Sequence, residues 1–280
     1  MKRNGKYLLL PSMIWLTVFF VIPMLIVVAV SFASRTAYGQ IVFDWTFQNY
    51  TRFLDSLYIS IFGRTIFIAV VTTVCTILMG YPLAYCIARL PRRLRQKGLI
   101  LWINFLIRSY AWVIILRSQG VLNTILMKLE VISQPIQFLY NEGAVMLGMV
   151  YALLPFMILP VYVSIEQLDR RLLEAAADLG ASPVTAFRKI TLPLTMPGIA
   201  AGTVLVFISS LGMFVVPDVM GGAKAALVGN VIQNQFLSAR DWPFGSALSI
   251  VLALLSLILI FLYYRAIQAQ KGDSDAENMA

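Results

Sequence analysis

The chain has 280 residues, of which 60% are apolar and only 12% are charged, and its mean hydropathy is +0.82. Because soluble domains carry about 25% charged residues, this composition excludes an ordinary cytosolic enzyme. The net charge of +9 could indicate a nucleic-acid partner, but the cations lie between apolar runs and form no basic groove. The chain has no His and two Cys, too few ligands for haem, zinc or iron–sulfur binding. We therefore expect neither a metal nor another cofactor.

Several apolar runs reach the about 20 residues that a helix needs to cross a bilayer. The sequence therefore predicts an all-α membrane protein with six transmembrane helices. The first run follows Lys2, Arg3 and Lys6, as in a cleaved signal peptide. Its apolar stretch is longer than the roughly 7 to 15 residues of a signal h-region, so we expect a retained span. The predicted spans are Leu8–Phe32, Thr65–Ala88, Leu99–Leu116, Ala144–Ile165, Gly198–Val216 and Ala247–Tyr264.

The Lys and Arg residues between these runs predict the orientation of the chain. If the N-terminus is cytoplasmic, the inner segments hold fourteen of these cations and the outer segments hold seven. The cluster from Arg89 to Lys97 then lies at the anionic inner leaflet. Both termini of this multi-pass protein are therefore expected in the cytoplasm.

The domain organisation follows from the predicted spans. Residues 1–62 hold the first helix and an outer loop, and residues 63–268 form the membrane core. Residues 269–280 are a cytoplasmic tail, which we expect to be disordered from Gly272 onward.

Acidic residues are absent from three of the spans. None lies between Asp55 and Glu130, or between Asp178 and Asp218. A proton relay needs acids or His within the membrane, so an ion-coupled carrier is disfavoured. With no His base and no nucleophile motif, a membrane enzyme is disfavoured as well.

A long inner segment separates the fourth and fifth spans. It runs from Ile165 to Pro197, whereas helix connections usually take about 2 to 8 residues. Apolar residues recur along it at steps of three and four, which predicts one helical face. The residues of that face are Ile165, Leu168, Leu172, Ala176 and Leu179.

The end of that helix and the start of another are also predicted. Gly180 is suited to end the first helix in the left-handed conformation. Ser182 followed by Pro183 matches an N-cap with Pro at the first helical position, so a second short helix should run to about Ile190. These patterns leave two alternatives open: an amphipathic helix on the membrane surface, or a docking site for a partner.

In the inner segment, the run Glu174–Ala176 is followed after three residues by Gly180. After nine further residues comes Ile190, and after one more residue the pair Leu192–Pro193. In residue types and in spacing this segment resembles the EAA loop of ABC importer permeases. That resemblance implies a type I ABC importer permease fold, with residues 166–197 as the coupling loop. In that family the loop sits in a cleft of the cytoplasmic ATPase subunit and transmits its closure to the membrane helices. The residues implied in this coupling are Glu174, Ala175, Ala176, Asp178, Gly180, Ile190, Leu192 and Pro193.

The resemblance extends from about residue 49 to 264, and over this range the chain is similar to the B-type permeases of spermidine/putrescine importers. This similarity is carried by segments on both sides of the loop and by two outer segments. Relatives that import opines, phosphonates or iron keep the substrate open. The segments are Leu153–Met157, Pro193–Gly198, Asp218–Lys224 and Arg240–Gly245.

Such importers combine two permeases, two ATPase subunits and an external, periplasmic binding protein. The resemblance implies that the second membrane chain is a C-type permease and that the protein is located in the inner membrane. It also implies a mechanism of alternating access driven by ATP. This chain itself has no P-loop, because Gly221–Ala225 has Ala where Ser or Thr should follow Lys224. ATP hydrolysis is therefore expected in a separate subunit.

A polyamine pathway should offer sparse carboxylates and aromatic faces. Asp218 at the outer end of the fifth span, and Asp241 beside Trp242, are the candidates. The alternative for Asp218 is that it caps a turn leading into Gly221. Arg108 is costly in the middle of a span unless it faces protein or water.

Two further functions stay open at this point. A guanidinium of Arg108 in the pathway would attract an anion, so an anionic phosphonate or sulfate is the alternative substrate class. A membrane assembly factor without transport is the alternative from a different class, and it would need no coupling loop.

Overall fold

The computed structural model describes residues 5–36, 39–91, 105–222 and 226–277, and most of these are helical. In lipid every backbone N–H and C=O needs a partner within the protein, and a helix supplies these partners within its own segment. The α-helices are α1 Gly5–Leu16, α2 Ile22–Ser31, α3 Gln48–Phe53, α4 Ser56–Arg89, α5 Phe105–Leu116, α6 Val121–Lys128, α7 Glu142–Glu166, α8 Arg170–Asp178, α9 Pro183–Ala186, α10 Leu192–Leu211, α11 Val228–Leu237 and α12 Trp242–Glu277. The π-helical segments are Thr17–Val21, Phe187–Thr191 and Pro217–Gly221, and the antiparallel strands are β1 Ser34–Arg35 and β2 Ile41–Val42.

Most of the predicted membrane spans correspond to helical stretches in the described residues, although several begin or end at other residues than predicted. Five helical stretches there are long and apolar enough to cross a membrane, and they correspond to predicted spans one, two, four, five and six. Of the third span, the part before residue 105 lies outside the described residues, and α5 is helical from there to Leu116. The five stretches are Pro11–Ser31, Ser56–Arg89, Glu142–Glu166, Pro183–Leu211 and Trp242–Arg265.

The prediction of a separate short helix from Pro183 to Ile190 is wrong. Helix α9 continues without a break through the π-helical segment Phe187–Thr191 into α10. In that segment the backbone N–H of Leu192 donates to the carbonyl oxygen of Phe187. The wider π turn accommodates one extra residue and keeps the backbone paired, so the helix is not interrupted.

The predicted end of the fifth span is also wrong. Helix α10 ends at Leu211, not at Val216, and Gly212 follows as its C-terminal cap. The chain then forms the separate π-helical segment Pro217–Gly221. Pro217 has no backbone N–H to donate, so a continuous helix through this position would lose a hydrogen bond.

The prediction of one helical face from Ile165 to Leu179 is wrong as well. Ile165 belongs to α7, which ends at Glu166. The Asp169 side chain accepts a hydrogen bond of 3.0 Å from the backbone N–H of Arg171 and thereby begins a new helix. Because this cap separates α7 from α8, the apolar residues before and after it belong to two different helices and do not form one face.

The tail is more ordered than expected. Helix α12 continues through Glu277, so the expectation of a disordered tail from Gly272 is wrong as far as that residue. Adding residues to an existing helix needs no new nucleation, which allows polar residues to extend it.

The chain forms two compact units. In the unit Met1–Phe62 with Val228–Ala280, α12 packs against α2, α3 and α11. Its core consists of Phe62, Val228, Phe244 and Leu248. In the unit Gly63–Leu227, α7 packs along α10, and the predicted coupling loop joins these two helices.

In the second unit, neighbouring helices approach α7 closely at Met157, which is fully buried. A Cβ atom at Gly202 would lie 2.7 Å from Sδ of Met157, and one at Gly80 would lie 2.8 Å from its Cγ. Small residues allow membrane helices to pack at such distances. Helices α4, α7 and α10 therefore meet at one residue.

Candidate functional site

Gly180 ends helix α8 as the sequence predicts. Its φ is +76°, in the left-handed region. Its N–H donates to the carbonyl of Ala177 at 2.9 Å, and the N–H of Ala181 donates to the carbonyl of Ala176 at 2.9 Å. This pair of bonds is the Schellman motif, which satisfies the last carbonyls of a helix. The loop therefore turns sharply after α8.

The start of α9 is also confirmed. The hydroxyl of Ser182 accepts a hydrogen bond of 3.3 Å from the backbone N–H of Thr185, and Pro183 occupies the first turn. The two caps lie two residues apart, so a tight turn joins α8 to α9 in the segment between α7 and α10, and we call this pair of helices the hairpin.

The hairpin exposes carboxylates beside large apolar side chains. Glu174 and Asp178 are exposed, Leu179 is 88% exposed, and Val184 is 68% exposed. We call these four residues the docking face. The other predicted coupling residues are Ala175 and Pro193, which are exposed, Ala176, which is buried, and Ile190 and Leu192, which are half-buried.

Asp218 lies in the π-helical segment Pro217–Gly221 and is exposed. Its backbone N–H donates to the carbonyl of Phe214 at 3.0 Å. Within the described residues, no donor pairs with its carboxylate. Nothing there supports the alternative that the side chain caps a turn.

Tyr140, which was not among the predicted site residues, holds this segment in place. Its N–H donates to the carbonyl of Met220 at 2.9 Å. Its own φ is +63°, and a Cβ atom at Gly222 would lie 3.1 Å from its ring. The strained backbone of Tyr140 and the glycine opposite have no local sequence signature, because the two residues are 82 positions apart.

Asp241 has two structural partners in the first unit. Its carboxylate accepts a hydrogen bond of 2.8 Å from Arg52 and one of 3.3 Å from the backbone N–H of Phe244. It thereby caps α12 and is buried, whereas Trp242 is half exposed. These contacts give Asp241 a role in the fold, independently of any substrate.

The Arg52 guanidinium also stacks 4.0 Å from the centre of the Phe244 ring. Burial by itself lowers the pKa of Arg52, but the hydrogen bond to Asp241 and the interaction with Tyr58 outweigh that effect and raise the pKa. Arg52 therefore stays charged and neutralises Asp241.

A second ion pair joins Arg64 of α4 to Glu142 at the start of α7. The carboxylates of Asp241 and Glu142 are thus both paired with arginines. Arg108 belongs to α5, and its side chain lies outside the described residues. Residues 92–97 of the predicted inner cluster and Lys224 also lie outside them.

A family model described as "Binding-protein-dependent transport system inner membrane component" matches residues 2–271. The spermidine/putrescine transport system permease protein PotB of Haemophilus influenzae is 47% identical over 257 residues, which are 90% of each chain. The corresponding permease protein PotC of Escherichia coli K12 is 40% identical over 107 residues, 38% of this chain and 40% of that protein.

Among solved structures, a chain of a bacterial ABC transporter involved in the import of the acidic polysaccharide alginate has a TM-score of 0.78 to this chain. It is 19% identical, and the match covers 96% of both chains. At this identity the likeness shows the fold alone. The predicted all-α permease fold is confirmed.

Proposed function

The chain belongs to the family of binding-protein-dependent transport system inner membrane components, and from this premise we propose that it is a permease subunit of an ATP-driven polyamine importer. The observation that carries the substrate is the similarity, along nine-tenths of the chain, to a permease protein of a spermidine/putrescine transport system. The resemblance drawn from the loop is thereby confirmed. The chain is a multi-pass protein of the inner membrane.

The complex that we propose contains a second, C-type permease, two ATPase subunits and a periplasmic binding protein. Partial similarity to a second permease of a spermidine/putrescine system supports a pseudo-symmetric pair of membrane chains. This chain performs no covalent chemistry, and ATP hydrolysis belongs to the ATPase subunits. Both termini lie in the cytoplasm, which the cation bias of the loops supports.

The hairpin of α8 and α9 is the ATPase contact in this proposal. Its docking face combines apolar side chains with the carboxylates of Glu174 and Asp178. The hairpin region also exposes Arg171, Arg188 and Lys189, so its charge alone does not separate a protein partner from an anionic membrane surface. The resemblance to the EAA loop is what favours the ATPase as the partner. The hairpin is continuous with α7 and α10, and closure of the ATPase dimer therefore moves both helices toward the outward-open state.

Asp218 is the carboxylate that we assign to the pathway, with Trp242 as an aromatic contact and Arg108 as a further candidate that the sequence gives. The exposed side chain of Asp218, without a described cationic partner, supports this assignment. Asp241 is a pathway residue of smaller effect in this proposal, because its ion pair with Arg52 leaves less of its charge to attract a polycation. Weak attraction suits a pathway, because tight binding would slow release.

Uptake into proteoliposomes tests the proposal. The assembled complex should accumulate radiolabelled spermidine or putrescine only with ATP and the binding protein. At an effective dielectric near 20 a charge pair at about 4 Å is worth about 4 kcal/mol before desolvation. A net loss of about 1 to 2 kcal/mol in Asp218→Asn would reduce uptake roughly tenfold.

The matched control is Glu130→Gln, which removes an exposed carboxylate of the same unit at no proposed site. Uptake by this variant should equal that of the wild type. An anion importer makes the opposite prediction: Arg108→Gln would abolish uptake and Asp218→Asn would be neutral. Normal polyamine uptake by Asp218→Asn would remove this residue from the pathway.

A further inference from the structure

The ring of Phe187 contacts two tyrosines of α4. Phe187 is the first residue of the π-helical segment Phe187–Thr191 and directly follows helix α9 of the hairpin. Its centroid is 5.7 Å from that of Tyr81 and 5.9 Å from that of Tyr85, with the rings nearly perpendicular. Edge-to-face rings at these distances attract each other beyond simple burial. We call these three residues the aromatic clamp.

A hydrogen bond adds a second link between the same two helices. The hydroxyl of Tyr81 lies 3.0 Å from Oγ1 of Thr195. The Thr195 hydroxyl donates to the carbonyl of Thr191 at 2.8 Å, so Tyr81 is the donor in the bond between the side chains. Both side chains are buried, which makes an unpaired hydroxyl costly there. The end of the π-helical segment is therefore tied to α4.

Arg89 at the end of α4 contacts Tyr85 of the clamp. Its guanidinium lies 4.2 Å from the centre of the Tyr85 ring and hydrogen-bonds to the Tyr85 hydroxyl. Arg89 is the last residue of α4. The contacts thus begin at the inner end of α4 and continue for two turns into the span.

We propose that the aromatic clamp carries the movement of the coupling loop into α4, with Phe187 as the positioning residue. The loop is covalently continuous with α7 and α10, but α4 is joined to it through side chains. The inner halves of α4, α7 and α10 then move as one body when the ATPase closes. This inference rests on the proposed function, because it takes the hairpin as the ATPase contact.

Uptake and ATP hydrolysis measured on the same reconstituted complex test the clamp. Phe187→Ala should assemble with the ATPase and hydrolyse ATP, while polyamine uptake per ATP falls about fivefold to tenfold, the range of a few aromatic contacts. Phe187→Tyr keeps the ring and should restore the ratio. Leu205→Ala, which truncates an exposed side chain of α10 beyond the coupling loop, is the matched control and should behave as wild type.

A wild-type ratio in Phe187→Ala would overturn the proposal. Loss of ATPase association in this variant would overturn it as well, because Phe187 would then act in docking. If Phe187→Ala does not fold, Phe187→Leu keeps most of the apolar volume without the ring and should show the same lowered ratio.

A distance measurement tests the clamp without relying on the substrate. Spin labels at the exposed positions Leu83 and Arg188, after replacement of Cys75 and Cys86 by Ser, report on α4 and the loop. Between the nucleotide-free and ATP-bound states, the distance between the two labels should change by less than about 1 to 2 Å, which is the size of a typical helix shift. A larger change would overturn the clamp. Absent polyamine uptake with a constant distance would instead contradict only the proposed substrate.

Discussion

Gly198 of α10 and Ser164 of α7 leave no room between them for a side chain. A Cβ atom at Gly198 would lie 2.4 Å from Oγ of Ser164 and 2.7 Å from the carbonyl oxygen of Pro160. The hairpin joins these two helices along the chain, and their close packing fixes their positions relative to each other. The four-residue spacing of Gly198 and Gly202 is typical of such helix pairs.

We therefore expect Gly198→Ala to force α7 and α10 apart. Overpacking of a filled interface costs about 1 to 3 kcal/mol, and the apparent Tm of the purified protein in detergent should fall. The same substitution at Gly212, where a Cβ would meet nothing within 4 Å, is the control and should leave Tm nearly unchanged. Equal Tm values for the two variants would contradict the packing argument.

Gly180 is required for its backbone conformation, not for space. A Cβ there would meet nothing within 4 Å, but φ is +76°. Gly180→Val should cost on the order of 1 kcal/mol or more locally and lower substrate-stimulated ATP hydrolysis by the complex. Gly180→Asn should retain most of the stimulation, because Asn adopts the left-handed region more easily. If both variants stimulate equally, backbone strain does not govern the loop.

Glu174 is expected to contact the ATPase through its charge. Glu174→Lys should lower ATPase association in a pull-down while membrane insertion stays normal, because an exposed charge does not affect the core. Glu130→Lys, which makes the same charge change at an exposed carboxylate outside the coupling loop, is the control. Full association of Glu174→Lys would refute the docking assignment.

The Arg52–Asp241 pair is expected to contribute to stability. Because Arg52 is 46% exposed, solvent screens the pair, and Asp241→Asn should cost about 1 kcal/mol. Asp241→Ala also removes the cap of α12 and should cost about 1 kcal/mol more. Thermal unfolding of both variants measures these steps. An Asp241→Asn variant with unchanged Tm but reduced polyamine uptake would instead give this carboxylate a direct role in the pathway.

The orientation of the chain can be checked by cysteine labelling. In a variant without Cys75 and Cys86, a Cys at Lys189 should react with a membrane-impermeant reagent only from the cytoplasm, and one at Gln48 only from outside. Both positions are exposed. The expectation follows from the cation bias of the loops. Labelling of position 189 from outside would contradict both the topology and the coupling role.

Features governed by neighbouring residues were predictable from the sequence. The spans follow from apolar runs long enough to cross a bilayer. The left-handed Gly180 and the Ser182 cap follow from chemistry within a few residues. The shared loop motif indicated the family for the same reason, because its residues are close together along the chain.

Features that depend on packing between distant segments were not predictable in this way. Asp241 was chosen as a pathway residue, but Arg52, which lies 189 positions away, pairs with it. The clamp around Phe187 arises because the π-helical segment keeps α9 and α10 continuous, which no local capping signal indicated. Such contacts depend on which helix faces meet in the fold, and hydrophobic periodicity gives the face of each helix but not its neighbour.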